Sequence, residues 1–242
     1  MEYKGSAVYD DDEFLDNYLS RRCRAESPNN VIEKPVLMEL IGEVRGKKVL
    51  DLGCGDAEFG VELLGQGCSF YEGVEGSLNM VRKAVNALDY TISKIHHSSM
   101  ETWGFPEEVY DLVVSRLALH YVENIEPVFN QVYNSLKEDG QFVFSIQHPV
   151  LTSSVQSATK SARTDWKVDD YFHTGKRVEP WIEKDVVKYH RTIEEYFQGL
   201  KRAGFKIEEI SECRPRRENF KNEEEYKRRM RIPLFLVFAC KK

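Results

Sequence analysis

Lys48-Val-Leu-Asp-Leu-Gly-Cys-Gly55 is the stretch on which the reading of this chain turns. Val49, Leu50 and Leu52 make a short apolar run that two glycines end, as in a buried strand running straight into a tight turn. At Gly53 and Gly55 a chain can bend sharply and let a ligand approach its backbone without a Cβ in the way. A dinucleotide-binding turn would follow GxGxxG, but the position completing that pattern is Glu58. A carboxylate there is badly placed against a pyrophosphate at a helix N-terminus, so the turn suits a nucleoside cofactor without one.

Outward from this turn the sequence alternates. Strands are expected at Lys48 to Leu52, Ser69 to Val74, Thr91 to Ile95, Tyr110 to Ser115 and Gln141 to Ile146, each short, apolar or β-branched and bounded by turn residues. Helices are expected between them at Glu58 to Leu64, Ser77 to Leu88 with Ser77 as N-cap, and Ile125 to Lys137. Such alternation predicts an α/β fold with a parallel sheet and helices on both faces. Two amphipathic helices precede it, around Glu13 to Leu19 and from Pro35 toward Gly42. Beyond Ile146 the rhythm breaks over Pro149 to Val187, a polar and aromatic insertion of the length used for lids. It resumes with a helix from Thr192 to Ala203, a strand around Phe205 to Ile210, a charged helix within Glu218 to Arg229 and a last strand Leu234 to Ala239.

Composition narrows the function. The 242 residues suffice for one core plus a lid: a cap over 1–45, a cofactor-binding core over 46–148, an insertion over 149–190 and completion of the sheet over 191–242. A formal net charge of -6 argues against a nucleic-acid partner. The five cysteines, Cys23, Cys54, Cys68, Cys213 and Cys240, contain no CxxC pair, so a reducing cytoplasm is expected and neither disulfides nor zinc are signalled. No apolar run is long enough to cross a membrane, and no clustered His, Asp and Glu pattern signals a metal.

Asp51-Leu-Gly-Cys-Gly55 resembles the first signature motif, D/ExGxGxG, of class I S-adenosylmethionine (SAM) dependent methyltransferases, and the resemblance extends from about Val49 to Ile146. Tyr110-Asp-Leu-Val-Val-Ser115 followed by Arg116-Leu-Ala-Leu-His-Tyr121 is a second match, to the segment that passes between cofactor and acceptor. The resemblance implies a Rossmann-like, seven-stranded, mostly parallel sheet with an antiparallel last strand, and SAM as cofactor, converted to S-adenosylhomocysteine. Asp51, Gly53 and Gly55 would meet the amino-acid end of the cofactor. Glu75, about two dozen residues on at the end of the second strand, is placed to accept both ribose hydroxyls. Gly76 and Ser77 would follow beside it, with Met80 against the adenine. Ser99 stands where the family commonly has an acid facing the adenine amino group, Met100 follows it, and Ser115 and Leu117 would line the cofactor. Ala57 replaces the third glycine, which a negative φ would tolerate.

The acceptor is expected to be a small molecule methylated on oxygen, nitrogen or carbon. A peptide, protein or RNA methyltransferase and a non-catalytic SAM-binding regulator are the alternatives, and the oligomeric state stays open. Tyr18 is placed near the sulfonium and Arg22 toward the cofactor carboxylate. His148, at the carboxyl end of the fifth strand, and then His190 are candidates to deprotonate the acceptor. Trp166, Tyr171, Trp181 and Tyr189 would offer a slot for a planar acceptor, with Lys167, Arg177 and Arg191 for an acidic group on it.

Overall fold

The computed structural model describes residues 2–157 and 165–242. The chain begins with a short strand β1 (Glu2–Lys4), a 3-10 turn over Gly5–Asp10, and helices α1 (Asp12–Arg22) and α2 (Lys34–Ile41). Asp11 caps α1 by accepting from the Phe14 amide, while Asp12 and Glu13 in the first turn and Arg21 and Arg22 in the last complement the helix dipole. There follow β2 (Lys48–Leu52), α3 (Glu58–Gly65), β3 (Phe70–Glu75), α4 (Leu78–Ala87), β4 (Ser93–His97), β5 (Tyr110–Arg116), α5 (Ile125–Ser135) and β6 (Leu136–Gln147). The insertion comprises a short α6 (Pro149–Thr152) and strands β7 (Gly175–Trp181) and β8 (Lys184–His190). The chain ends with α7 (Ile193–Ala203), β9 (Lys206–Ser211), α8 (Glu223–Arg229) and β10 (Phe235–Lys241).

Seven strands form one sheet in the order β4-β3-β2-β5-β6-β10-β9, in which β10 runs antiparallel to both neighbours and the other pairings are parallel. The expected α/β sheet with an antiparallel last strand is the one observed. Alternate side chains feed two cores. On one face Val49, Leu112, Val114 and Val143 pack under Leu37, Ile41, Phe59 and Leu63 of α2 and α3. On the other, Leu50, Leu52, Val113, Phe142 and Phe144 pack under Val128, Phe129 and Val132 of α5 and Tyr196 and Leu200 of α7. Asp51 pairs with Gly73 on one side and Val114 on the other, so β2 lies where the order of the strands reverses. In open α/β sheets a crevice for ligands forms at the carboxyl ends there.

The structure departs from the sequence reading in four places. The strand expected at Thr91 to Ile95 runs from Ser93 to His97, because Thr91 closes α4 instead, donating from both Oγ1 (2.5 Å) and its amide (3.1 Å) to the Leu88 carbonyl. The helix expected to reach Lys137 stops at Ser135, and β6 starts at once as Leu136 pairs with Tyr110. Ala57 has φ +57 rather than a negative value; a left-handed alanine costs about 1–2 kcal/mol, offset here by a side chain buried completely in the core. Finally, the insertion is not irregular throughout: β7 and β8 make an antiparallel hairpin onto which β1 adds in parallel, tying the N-terminal cap to the insertion as a second, three-stranded sheet. Residues 158–164 of that insertion lie outside the described residues. Among the described residues no helix is long and apolar enough to cross a membrane.

Candidate functional site

At the carboxyl ends of β2, β3 and β5 the structure encloses a cavity of about 300 Å³. Its floor follows from the glycine turn. Gly53 has φ +75, and a Cβ there would lie 2.4 Å from the Cβ of Ala118, so only glycine lets the turn after β2 close against the loop after β5. The amides of Gly53 and Cys54 both donate to the Val74 carbonyl, at 2.8 and 3.2 Å. Glu75, 5% exposed, joins the two loops: its Oε2 accepts from the Gly55 amide (2.9 Å) and its Oε1 from the Ser77 amide (2.8 Å). Burial raises its pKa, against the pull of those amides.

Asp51 is 2% exposed and lines the same cavity. Its Oδ2 accepts from the Tyr71 hydroxyl at 2.7 Å, while Oδ1 is buried without a partner. Burial pushes its pKa up to about 6. An orphaned carboxylate oxygen on a residue that lines a cavity fits a ligand that brings hydrogen-bond donors or positive charge.

The cavity gathers most of the residues the sequence singles out. Asp51, Gly53, Gly55, Glu75 and Gly76 form the floor, Met80, Ser99, Met100 and Leu117 one wall, and Tyr18 and Arg22 another. Ser77 and Ser115 stand behind the lining. Ser77 caps α4 through the Met80 amide and donates its hydroxyl to Asp10 (2.8 Å), and Ser115 donates to the Leu52 carbonyl (2.7 Å). Arg22 is held by Asp56 (2.8 Å) and Glu58 (3.1 Å), and burial keeps the Tyr18 phenol protonated by raising its pKa.

His148 and His190 do not line the cavity. The Nδ1 atom of His148 accepts from the Val150 amide (3.1 Å), capping α6, and its other ring nitrogen faces Glu212 at 3.1 Å. His190, fully buried, is held between the Thr152 hydroxyl (2.7 Å) and the Tyr171 carbonyl (2.9 Å). Burial lowers both pKa values, and each imidazole is held by these hydrogen bonds outside the lining of the cavity. His148→Ala is accordingly expected to lower Tm through loss of the cap, about 1 kcal/mol, with kcat within about twofold of the parent. A thermal melt and a turnover assay check the pair of outcomes.

The four aromatic residues do not form one slot. Tyr189 lines the cavity and donates to Glu123 (3.0 Å), whereas Trp181 packs behind Tyr18 (5.5 Å) and Phe14 (5.3 Å). Tyr171 packs on His190, and Trp166 lies under Arg231. Arg177 donates to the backbone carbonyls of Ser153 and His173, Nη2 of Arg191 donates to those of Val122 and Glu123 while its Nη1 is buried without a hydrogen-bond partner, and Lys167 donates to Gln156. What the sequence reading missed is the roof. Lys4, Ser6 and Tyr9 line the cavity from above, and a Cβ on Gly76 would lie 2.3 Å from the Ser6 hydroxyl. Asn29 and Phe59 were also missed, and Arg116 and Tyr121, which the second motif match includes, were not singled out within it; the signal at Arg116 was a charged residue just after an apolar strand.

The sequence profile of a methyltransferase domain family matches residues 24–210 of the chain. The chain belongs to that family. The methyltransferase is similar in structure to an S-adenosylmethionine dependent methyltransferase from Mesorhizobium loti, with 31% identity, a TM-score of 0.81, and coverage of 91% of this chain and 99% of the other. In sequence it is 30% identical over 217 residues to an uncharacterized protein of Haemophilus influenzae, covering 85% of each. It is 26% identical over 180 residues to the uncharacterized methyltransferase YbaJ of Bacillus subtilis, covering 71% of each. The methyltransferase therefore uses SAM, whose contribution when bound is a methyl group made electrophilic by a sulfonium.

Proposed function

We propose that this methyltransferase acts on a small-molecule acceptor, on an oxygen, nitrogen or carbon atom, inside the cavity described above. The observation that carries the proposal is the roof. Lys4, Ser6 and Tyr9 lie above the glycine turn, Tyr18 and Tyr189 flank them, and β1 is fastened to β8, so the space is partly covered, which supports a small acceptor over a polymer. Its volume of about 300 Å³ is at the scale of small-ligand pockets. The net charge of -6 favours a small acceptor over RNA.

In this reading Glu75 takes the ribose hydroxyls, Met80, Ser99 and Met100 border the adenine, and Asp51, Gly53, Gly55 and Leu117 border the amino-acid end, with Arg22 beside it. Tyr9, Tyr18 and Tyr121 stay protonated, because burial raises all three pKa values, and their hydroxyls hydrogen-bond to one another beside the space proposed for the acceptor. Holding the acceptor lone pair in line and keeping water out then supplies several kcal/mol without a dedicated base. Four of the five cysteines are buried as free thiols, which supports a reducing cytoplasmic setting.

The test is transfer of labelled methyl from SAM into a cell extract split into small solutes, protein and RNA. Label is expected among the small solutes; label confined to protein or RNA would overturn the proposal.

A further inference from the structure

Two guanidinium groups line the cavity, and they are held in different ways. Arg22 is answered on both terminal nitrogens, by Asp56 and Glu58. Arg116 is held along one edge and one face. Its Nε and Nη2 donate to Oε1 (3.3 Å) and Oε2 (2.6 Å) of Glu33, and its Cζ lies 4.7 Å from the centre of the Phe59 ring. That geometry leaves Nη1 over, on a side chain that lines the cavity.

Glu33 is 0% exposed, and a buried carboxylate is costly unless it is paired and hydrogen-bonded. It is used twice. Besides gripping Arg116 as a fork, it accepts from the Ser145 hydroxyl (2.7 Å), which in turn accepts from the Leu117 amide (3.1 Å). One carboxylate thus fixes both the guanidinium and the left-handed turn at Leu117, φ +54, in the cavity wall. Glu33 closes a π-helical turn, Asn29–Glu33, whose first residue also lines the cavity, and such turns recur at functional sites. Burial works against the charge on Arg116, and Arg22 opposes it, but Glu33 first and Asp51 after it override both, so the guanidinium is held charged in the wall.

We infer that Arg116 is an oxyanion receptor in the cavity wall, with Glu33 as its positioning residue, and that it takes a carboxylate group. This rests on the reading of the cavity as the site of methyl transfer. A carboxylate can reach it from two sources, the amino-acid end of the cofactor or the acceptor, and one set of measurements separates them.

S-adenosylhomocysteine and 5′-methylthioadenosine share the nucleoside, but the second lacks the amino-acid end. If the cofactor supplies the carboxylate, Arg116→Met weakens S-adenosylhomocysteine binding by about tenfold or more and leaves 5′-methylthioadenosine binding unchanged in calorimetry. If the acceptor supplies it, both nucleosides bind the variant as they bind the parent, and acetate added to protein saturated with S-adenosylhomocysteine raises the Tm of the parent alone. Identical behaviour of parent and variant toward all three probes would overturn the inference. Arg116→Lys keeps the charge and loses the fork; it is expected to give the same pattern at smaller size, and serves where the methionine variant does not fold. Glu33→Gln is expected to reproduce the pattern of the Arg116 variant, and an equal loss for every ligand would overturn its positioning role. None of these measurements needs the methyl acceptor, so a failure of the small-acceptor reading and a failure of this inference are told apart.

Discussion

Glu75→Ala is expected to weaken S-adenosylhomocysteine binding by at least about 100-fold in calorimetry. A carboxylate has about four lone-pair sites, and the amides of Gly55 and Ser77 occupy two of them. What is left of the carboxylate, on which the Gly76 amide also draws, is proposed for the ribose hydroxyls. Hydrogen bonds to a charged group are worth about 1.5–3 kcal/mol each, so losing two of them spans the expected change. A second loss adds to the first. Without the carboxylate the turn keeps only the Gly53 and Cys54 amides on the Val74 carbonyl as its ties to the end of β3, and the Gly55 and Ser77 amides are left short of an acceptor, so the free variant is also expected to melt lower. Affinity is therefore compared well below its Tm. Binding equal to that of the parent would remove Glu75 from the site.

Glu75 was legible because its position and its chemistry agree: an acid at the end of the second strand, beside a glycine turn at the end of the first. The sheet was legible for a similar reason, since the apolar runs around Leu50, Val74, Val113 and Phe144 are short, regularly spaced and bounded by turn residues. The roof was not. The hairpin of β7 and β8 turns through Ile182 and Glu183, at φ +47 and +65, where Asn-Gly or a similar pair would ordinarily announce such a turn. β1 is three residues long and acquires its pairing only from β8, more than 180 residues away, so no local pattern marks it. The histidines mislead for a related reason. His148 does end a strand where ligands gather, but which way its ring points is set by the Val150 amide and by Glu212, contacts that the sequence near it does not encode. Glu33 reads as one more helix-flanking acid until Arg116 and Ser145, more than 80 and 110 residues on, are seen to close over it.

Asp51→Asn is expected to raise the stability of the ligand-free protein at pH 8 while lowering its affinity for SAM. Burial lifts the Asp51 pKa from its ordinary 3.8 to about 6, the Tyr71 hydroxyl pulling the other way. Because the folded value lies above the unfolded one, the folded state holds the proton more tightly. The sign follows: stability falls as pH rises from about 3.8 to about 6, and the full penalty stands above that window. A shift of about two units amounts to about 3 kcal/mol, or several degrees in Tm for a chain of this size. Asparagine keeps an oxygen for the Tyr71 hydroxyl and carries no charge at any of these pH values. Its melting temperature should therefore exceed that of the parent at pH 8, and the gap should close toward pH 4. Two curves that run parallel across that range would show that the Asp51 charge is not what burdens the free fold. A protein retains such a charge where a ligand repays it: in the proposed site the positive groups of SAM meet the oxygen that nothing else satisfies, and binding lowers the Asp51 pKa again. Between pH 4 and 6 the parent should then release a proton on binding SAM, read as a dependence of the calorimetric enthalpy on the ionisation enthalpy of the buffer. Glu75, whose pKa burial also raises, releases its share in both proteins, so the difference between parent and Asp51→Asn isolates the contribution of Asp51.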